Sequence, residues 1–174
     1  VLSYQKMLGQ LQDAGNTTTL AHYLDLLAAA GMVTGLAKFS GGHARQRASS
    51  PKLQVQNNAL MTAPSALIFS QVRSDHDTWG RLVESAAGAH LLNSVRGTNI
   101  EVCYWRERNR EVDFVLKQGR KIVAVEVKSG RARESFAGIE AFAKEFKVVR
   151  KLLVGGGGIT LEEFLLQPVE HWLS

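Results

Sequence analysis

The segment Ile122-Val123-Ala124-Val125-Glu126-Val127-Lys128 decides how this chain folds. It is apolar enough to be a central strand of a sheet, yet it carries a carboxylate and an ammonium two residues apart. Side chains alternate across a strand, so Glu126 and Lys128 share one face and the valines share the other. A buried charge without a partner costs an appreciable part of a domain's whole stability. The sequence therefore predicts a compensating group close to this pair.

The strand that precedes this segment, over 111–117, supplies a candidate partner in Asp113. If Gly119-Arg120 forms a two-residue turn, Asp113 lies directly opposite Glu126 in an antiparallel pair. A turn at Gln118-Gly119 keeps both carboxylates on one face, whereas a turn of odd length separates them. Two carboxylates on one face repel unless a cation or a proton lies between them. A divalent ion bound by carboxylate oxygens is the simplest cation of this kind.

These residues form a candidate catalytic site. Asp113 and Glu126 are predicted to hold Mg²⁺ or Mn²⁺, which can polarise a phosphate and lower the pKa of a bound water. Lys128 is predicted to orient that water or to stabilise the developing charge. Glu84 lies in the preceding helix and is predicted to complete the metal shell, because the small residues 86–89 let that helix approach the sheet. The alternative is an ion pair between Glu126 and Lys128 within the sheet, with Asp113 capping a strand end.

Residues 79–174 are predicted to form an α/β domain, because helix and strand patterns alternate clearly along them. A helix over 79–95 is followed by three strands, a second helix and a fourth strand, which together make an α-β-β-β-α-β core. Thr160 and Glu163 form a capping box that begins a last helix, ending near Trp172. The predicted strands are 100–106, 111–117, 121–129 and 149–155, and the second core helix is 134–146.

Residues 1–60 are predicted to form a small α+β domain. Two helices are followed by a strand over 33–39 and a return strand near 53–55, and Asn16 or Thr17 can cap the second helix. The connection between the strands carries the basic residues Arg45 and Arg47. Two helices followed by a basic hairpin are the outline of a winged helix, truncated here at its N-terminus. The alternative is a plain helical hairpin that packs on a neighbour.

The second helix of this region is poorly equipped to recognise a DNA sequence. Its exposed side is predicted to carry Thr18, Thr19, His22 and Asp25, with no arginine or lysine among them. Recognition helices normally bring long cationic or amide side chains to the base edges. We therefore expect any contact with DNA to involve phosphates and to be independent of base sequence.

Residues 61–78 are predicted to be a linker, because they contain proline, serine and a run of charged residues at 73–77. A second basic cluster, with Arg106, Arg108 and Arg110, lies in the turn before the Asp113 strand. This cluster is either a solvated turn or a rim that guides phosphates towards the site. The predicted nucleic-acid-binding residues are Arg45, Arg47, Lys52, Arg106, Arg108 and Arg110.

Composition restricts the remaining possibilities. The 174-residue chain carries a net charge of +5, which favours an anionic partner, nucleic acid first. Cys103 is the single cysteine, which excludes an internal disulfide and fits a reducing, cytoplasmic setting. No segment reaches the ~18 apolar residues of a membrane span, so no membrane partner is expected. The chain begins at Val1 within a helical pattern, which favours a fragment of a longer protein.

The spacing of Asp113, Glu126 and Lys128 behind a helix with Glu84 resembles the PD-(D/E)XK nuclease superfamily, and its archaeal Holliday-junction resolvase-like branch above all. Four segments are similar to one bacterial and archaeal family: 50–53 (Ser-Pro-Lys-Leu), 80–84 (Gly-Arg-Leu-Val-Glu), 104–106 (Tyr-Trp-Arg) and 110–115 (Arg-Glu-Val-Asp-Phe-Val). Members of that family carry an AAA+ ATPase domain first, then a winged helix, then a nuclease-like domain. The resemblance covers essentially all of the chain.

This resemblance implies a restriction-endonuclease-like core and an upstream ATPase domain of the same chain as a partner. The chain departs from the family's pattern after residue 53, where Asn57 and Ala59 replace the usual Asp and Gly. The run of four glycines at 155–158 is not followed by Gly-Lys-Ser or Gly-Lys-Thr, so we expect no ATPase activity in this fragment.

The sequence favours an enzyme that cleaves DNA phosphodiesters with Mg²⁺ or Mn²⁺. Two alternatives remain open: a nuclease fold that only grips nucleic acid for the missing ATPase, and a protein-interaction arm built from residues 1–60. An intact Asp113, Glu126 and Lys128 favours the enzyme, since negative charge facing phosphate does not help a pure binder. An oligomer is compatible with the sequence.

Overall fold

The computed structural model describes residues 4–11, 15–40, 50–130 and 136–174. Within these ranges six strands form one mixed sheet. The strands are Val33–Lys38 (β1), Lys52–Val55 (β2), Glu101–Glu107 (β3), Arg110–Gln118 (β4), Lys121–Lys128 (β5) and Arg150–Gly155 (β6). Their order across the sheet is β2-β1-β3-β4-β5-β6. The β1–β3 and β5–β6 pairs are parallel, and the other pairs are antiparallel.

Helices cover both faces of this sheet. The described helices are Tyr4–Leu8 (α1), Thr17–Ala29 (α2), Ala59–Thr62 (α3), Phe69–Ser74 (α4), His76–Ser94 (α5), Ala137–Glu145 (α6), Leu161–Leu166 (α7) and Val169–Leu173 (α8). The order of α5, β3, β4, β5, α6 and β6 agrees with the predicted helix, three strands, helix and strand, and a mixed α/β fold is thereby confirmed.

The hairpin between β4 and β5 has the predicted two-residue turn. Gln118 pairs with Lys121, so that Gly119 and Arg120 form the turn. Gly119 has a φ of 59°, a left-handed conformation that glycine adopts without steric cost. The register continues to the pair Phe114–Val125. One further step along this register sets Asp113 opposite Glu126.

The two faces of β5 are packed as the alternation of its side chains predicts. Val123, Val125 and Val127 belong to the core that α5, α7 and α8 cover, where Leu91, Phe164 and Trp172 are buried. Ala124 belongs to a second core on the opposite face, which α6 covers with Ile139 and Phe142. β5 is therefore buried on both sides, and any charge on it must be neutralised within the fold.

Strands from the two predicted regions share one sheet. β1 pairs with β2 and also lies parallel to β3, with Ala37 opposite Cys103 and Lys38 opposite Tyr104. The Tyr104 hydroxyl of β3 donates to the Ser50 carbonyl oxygen over 2.6 Å, which ties the segment just before β2 to β3. The predicted division at 61–78 stays a prediction, but the hairpin of the first region extends the sheet of the second.

Several helix ends follow from short-range chemistry. Asn16 caps α2, since its Oδ1 accepts hydrogen bonds from the backbone N–H groups of Thr18 and Thr19. Thr160 caps α7 by accepting from the N–H of Glu163. The single last helix that we expected is instead two helices, α7 and α8, which are separated by Gln167 and by Pro168, the N-cap of α8. The expected linker at 61–78 contains α4 and the first residues of α5.

No helix of the described ranges has the length and apolar character to cross a membrane.

Candidate active site

A β-bulge in β4 places Asp113 at the centre of the candidate site. Cys103 pairs with Val115 and Trp105 pairs with Val112, so that one residue of β3 faces two of β4, Asp113 and Phe114. A bulge of this kind bends the strand and redirects a side chain, and bulges are common beside active sites. The sequence contained no glycine or proline to indicate it, because the bulge depends on pairing with β3.

The Asp113 carboxylate lies between β4 and β5. Its Oδ2 atom accepts a hydrogen bond of 2.9 Å from the backbone N–H of Val127. Burial, together with the charges of Glu126 and Glu84, raises the pKa of Asp113 to about 7, although Lys52 and the Val127 N–H act to lower it. Asp113 therefore caps the end of the hydrogen-bond ladder between β4 and β5, and it is also repelled by the negative charges of Glu126 and Glu84.

Glu126 and Lys128 form the ion pair that their spacing allows. The Lys128 Nζ lies 2.6 Å from Oε1 of Glu126, whose side chain is 8% exposed. The second oxygen, Oε2, is buried and has no hydrogen-bond partner among the described residues. Burial raises the pKa of Glu126, against the hydrogen bond from Lys128. Burial acts to lower the pKa of Lys128, but the bond and charge of Glu126 outweigh it, and that pKa is raised.

Lys52 lies among three carboxylates, which the sequence did not lead us to expect. Its Nζ is 2.6 Å from Oε1 of Glu84, 3.4 Å from Oε1 of Glu111 and 3.6 Å from Oδ1 of Asp113. Its side chain is only 12% exposed. Burial acts to lower its pKa, but the charges of Asp113 and Glu84 outweigh this and raise it. The predicted role of Lys52 in nucleic-acid binding stays a prediction, and the ammonium lies inside the carboxylate cluster.

Glu84 reaches the site because α5 packs tightly against the sheet. A Cβ atom on Gly88 would collide with the Gln54 side chain and would lie 2.8 Å from Cε1 of Phe114. Gln54 also binds the helix, since its Nε2 donates to the carbonyl oxygen of Ser85 over 2.9 Å. The close approach that the small residues predicted is thereby observed. Glu84 contacts Lys52, and its charge also acts on Asp113.

The whole cluster is close to electrical balance. Glu84, Glu111, Asp113 and Glu126 face Lys52, Lys128 and Arg106, whose Nη1 lies 3.7 Å from Oε2 of Glu111. Among the described residues, four ionised carboxylates therefore meet three cations, which leaves one negative charge. That charge can be neutralised by a proton on Asp113 or by an added cation.

The donor set suits a hard divalent ion. Asp113 and Glu126 offer carboxylate oxygens, and the orphaned Oε2 of Glu126 has unused capacity to accept. No cluster of three or more histidine, cysteine, aspartate or glutamate side chains suited to a metal occurs in the described part of the chain. Mg²⁺ commonly uses only one or two carboxylates and keeps several waters, so two ligands are compatible with it.

The predicted basic residues lie at different distances from this cluster. Arg106, Arg108 and Arg110 are exposed around the β3–β4 turn, and Arg106 contacts Glu111 at the margin of the site. Arg108 has a φ of 52°, a turn conformation that few residues other than glycine adopt. Arg45 and Arg47 lie outside the described residues.

Other residues that the sequence singled out belong to the packing of the fold. Cys103, Trp105 and Trp172 are buried in the core, as expected. Burial raises the pKa of the Cys103 thiol to about 11, which disfavours a nucleophilic role. Trp79 is partly buried and lies under the guanidinium of Arg73, 4.3 Å from the ring centre.

Two members of the cluster were not predicted from the sequence in the role they have here. Glu111 was expected to be an ordinary strand residue, and Lys52 a phosphate contact. Alternation along β2 could have indicated Lys52, because Lys52 and Gln54 share one face of a short strand. The contact between Lys52 and β4 could not have been foreseen, since 59 residues separate Lys52 from Glu111.

Comparison with known proteins places this domain in a family. A domain of unknown function, DUF4143, matches residues 79–165, which is half of the chain. The chain belongs to the DUF4143 family. Domains of this family often lie at the C-terminus of ATPase-containing proteins. No curated protein and no solved structure matches the chain.

The matched segment of this DUF4143 domain contains most of the site. It begins in α5, ahead of Glu84, and includes β4 and β5 with Glu111, Asp113, Glu126 and Lys128. Lys52 lies upstream of it, on the strand that the first region adds to the sheet. The carboxylates are therefore supplied by the family domain, whereas the buried cation comes from outside the matched segment.

Proposed function

We propose that this chain is a divalent-metal-dependent phosphodiesterase domain that acts on DNA, of the endonuclease type. The observation that carries the proposal is the pair formed by the buried Glu126 and the partly buried Asp113, whose pKa values are both raised and of whose oxygens one has no partner among the described residues. Carboxylates in this state favour a bound cation. The order of helices and strands from α5 to β6 is compatible with a restriction-endonuclease-like core, which is part of the same proposal.

The residues have separate roles in this proposal. Asp113 and Glu126 would hold Mg²⁺ or Mn²⁺, and the ion would supply Lewis-acid polarisation of a phosphate oxygen and a water of lowered pKa. Asp113 is kept in position by the Val127 N–H, and Glu126 by Lys128. The Lys128 side chain is 35% exposed, so its ammonium can face a substrate and stabilise charge that develops on the phosphate.

The surroundings of the site favour DNA as the substrate. The net charge of the chain is +5, and three exposed arginines flank the turn that leads to Asp113. Arg106 joins this turn to the cluster through Glu111. A cationic rim beside buried acidic ligands attracts a phosphate backbone without recognising its sequence. The frequent position of the family beside ATPases makes an ATP-driven partner of the same chain part of the proposal.

The decisive assay measures Mn²⁺-dependent cleavage of linear, single-stranded and four-way-junction DNA by the purified chain. Lys128→Ala serves as the inactive comparison, and Lys117→Ala, at an exposed ion pair with Glu101, serves as the matched control. We expect cleavage by the parent and the control only. If neither the chain nor the longer protein with its ATPase cleaves any of these DNAs, the enzymatic proposal is wrong.

A second candidate function is a non-catalytic arm that docks to another protein. Its support lies in α2, where Leu20 is buried while Tyr23 and Leu26 are 48% and 53% exposed. An exposed apolar stripe on a helix is typical of a protein-binding surface. Loss of binding between the chain and its ATPase partner in a Tyr23→Ala, Leu26→Ala variant would support this function; unchanged binding would reject it.

A further inference from the structure

The Lys52 ammonium is surrounded in the way that a bound metal ion is surrounded. Besides the three carboxylate contacts, its Nζ donates to the backbone carbonyl oxygen of Asp113 over 3.4 Å. The ring of Phe114 lies on a further side, with its centre 5.2 Å from the nitrogen. Four oxygen atoms and an aromatic face thus enclose one positive charge.

The oxygens around Lys52 come from elements that the fold brings together. Glu84 extends from α5, Glu111 comes from the regular start of β4, and Asp113 comes from its bulge. Lys52 approaches from β2, and the neighbouring Gln54 fixes this strand to α5 through the carbonyl oxygen of Ser85. The side chain is therefore held from both ends, and withdrawal of the ammonium would leave three carboxylates without their common cation.

Glu84 serves the lysine in this arrangement. Its Oε1 lies 2.6 Å from the Lys52 Nζ, the shortest of the lysine's contacts with these carboxylates. A divalent ion on Glu84 would have to displace this ammonium or lie directly beside it. Two cations at such a distance repel strongly in a buried site. That Glu84 completes a metal shell stays a prediction, and the partner that the structure gives Glu84 is Lys52.

We propose that Lys52 is a built-in cation that occupies one of two cation positions in the cluster, and that it thereby restricts the site to a single divalent ion. The first position lies among Glu84, Glu111 and Asp113. The second lies beside Asp113 and Oε2 of Glu126, which has no hydrogen-bond partner among the described residues. The role of Lys52 as a built-in cation does not depend on the proposed function, whereas the binding of a single divalent ion in the second position rests on it.

Lys52 thereby sets how many metal ions the site binds. Many phosphodiesterases place two ions about 4 Å apart, one for the attacking and one for the leaving oxygen. A fixed ammonium in one of these positions supplies charge without a free coordination site. Lys52 accordingly acts as a positioning residue for Asp113, and not as a catalytic residue.

Lys52→Met tests the inference, because methionine keeps an unbranched apolar stem of similar length and removes the charge. Mn²⁺ bound per chain is measured by calorimetric titration and by equilibrium dialysis, at neutral pH and without DNA. We expect Lys52→Met to bind one Mn²⁺ more than the parent does. Lys151→Met, at an exposed ion pair with Glu140, is the matched control and should bind as many ions as the parent.

The possible counts separate this inference from the proposed function. One ion in the parent and two in Lys52→Met support both. No ion in the parent and one in Lys52→Met support the built-in cation and contradict the metal site of the proposed function. Equal counts in the two proteins, or two ions in the parent, overturn the inference.

A variant that keeps Lys52 covers the case in which Lys52→Met does not fold. Glu84→Gln removes the nearest carboxylate charge and preserves the size of the side chain. We expect the metal-free variant to melt several degrees below the parent, because the buried ammonium loses its closest ionic partner. A melting temperature equal to or above that of the parent would overturn the counter-ion role of Lys52.

Discussion

On one side of Asp113, oxygen atoms of three carboxylates and one carbonyl group surround the Lys52 ammonium. On the other side, Glu126 contacts a single lysine, and its buried second oxygen has no partner among the described residues. Lys52 is almost enclosed, while Lys128 is about one third exposed. The first side is already neutralised by the fold. The second side retains the capacity to accept a cation and access to solvent.

This difference shows why a cluster of carboxylates is not by itself a metal site. The ammonium of Lys52 neutralises charge where most of the acidic side chains lie, so a metal ion would gain the least electrostatic stabilisation there. Fewer carboxylates surround Glu126, yet within the described part of the chain its Oε2 has no partner, and the pKa of Asp113 is raised to about 7. If the two sides differ in this way, substitutions on them should have effects of different size and kind.

The largest effect is expected from Asp113→Ala and Glu126→Ala, which remove the ligands of the second side. Both should abolish cleavage and strongly weaken Mn²⁺ binding, since each variant leaves the ion a single carboxylate ligand in the site. Calorimetric titration and a DNA cleavage assay provide the measurements. Glu101→Ala, at an exposed strand position, is the control. Parent-level Mn²⁺ affinity in Glu126→Ala would contradict the assignment.

Lys128→Ala should separate binding from chemistry. Metal affinity should remain within a few-fold of the parent, because the carboxylates do not need the lysine to bind the ion. Cleavage should fall by roughly 10²-fold or more, the usual loss when one charge-stabilising donor is removed. Rates are compared at saturating Mn²⁺, with circular dichroism to verify folding. Equal activity in variant and parent would reject the role of Lys128.

The stability of the metal-free protein should fall as the pH rises from about 4 to about 7. The folded protein holds a proton on Asp113 up to about pH 7, whereas the unfolded chain loses it near the ordinary value of 3.8. The folded state therefore binds more protons across this window, and the free energy of unfolding decreases with pH by up to about 1.4 kcal/mol per unit. Urea unfolding in EDTA at several pH values measures it.

Asp113→Asn provides the control for this pH dependence. The amide oxygen can still accept from the Val127 N–H, but it cannot ionise. Other titrating groups remain, so the slope should become flatter without vanishing. Above pH 7 the metal-free variant should be more stable than the metal-free parent. An identical slope in the two proteins would show that Asp113 titrates normally.

Added metal should reverse part of this instability. A divalent ion that binds only the folded state stabilises it by about 2.7 kcal/mol at a hundredfold excess over its dissociation constant. Thermal melts in EDTA and in excess Mn²⁺ should therefore differ for the parent. Lys128→Ala should show a similar shift, and Asp113→Asn should show none. Identical midpoints for the parent in both conditions would argue against a metal at Asp113 and Glu126.

The smallest effect concerns the basic residues around the site. Removing one arginine that binds a phosphate should reduce the slope of log affinity against log salt by roughly one. Alanine variants of Arg106, Arg108 and Arg110, and of Arg45 and Arg47, are compared by fluorescence anisotropy with labelled DNA. Arg150→Ala is the control, because Arg150 contacts the carbonyl oxygen of His171 near the chain end. Binding that does not depend on salt would contradict the predicted DNA contacts.

The local chemistry of the chain was sufficient for its elements and for part of its site. The apolar segment 122–128 indicated a central strand, Gly119 indicated a tight turn, and the small residues around Gly88 indicated close packing of α5 on the sheet. All three are observed. These features follow from side-chain alternation, backbone freedom at glycine and helix periodicity, which are properties of neighbouring residues.

Tertiary structure alone decided which charges from distant segments of the chain meet. The β4 bulge depends on the pairing with β3, and the position of Lys52 depends on the addition of the β1–β2 hairpin to the sheet. Neither leaves a local pattern, because the energy of a buried charge depends on partners that are distant in sequence. The sequence by itself determined that Asp113, Glu126 and Lys128 needed compensation, whereas the fold decided that part of it is an internal lysine.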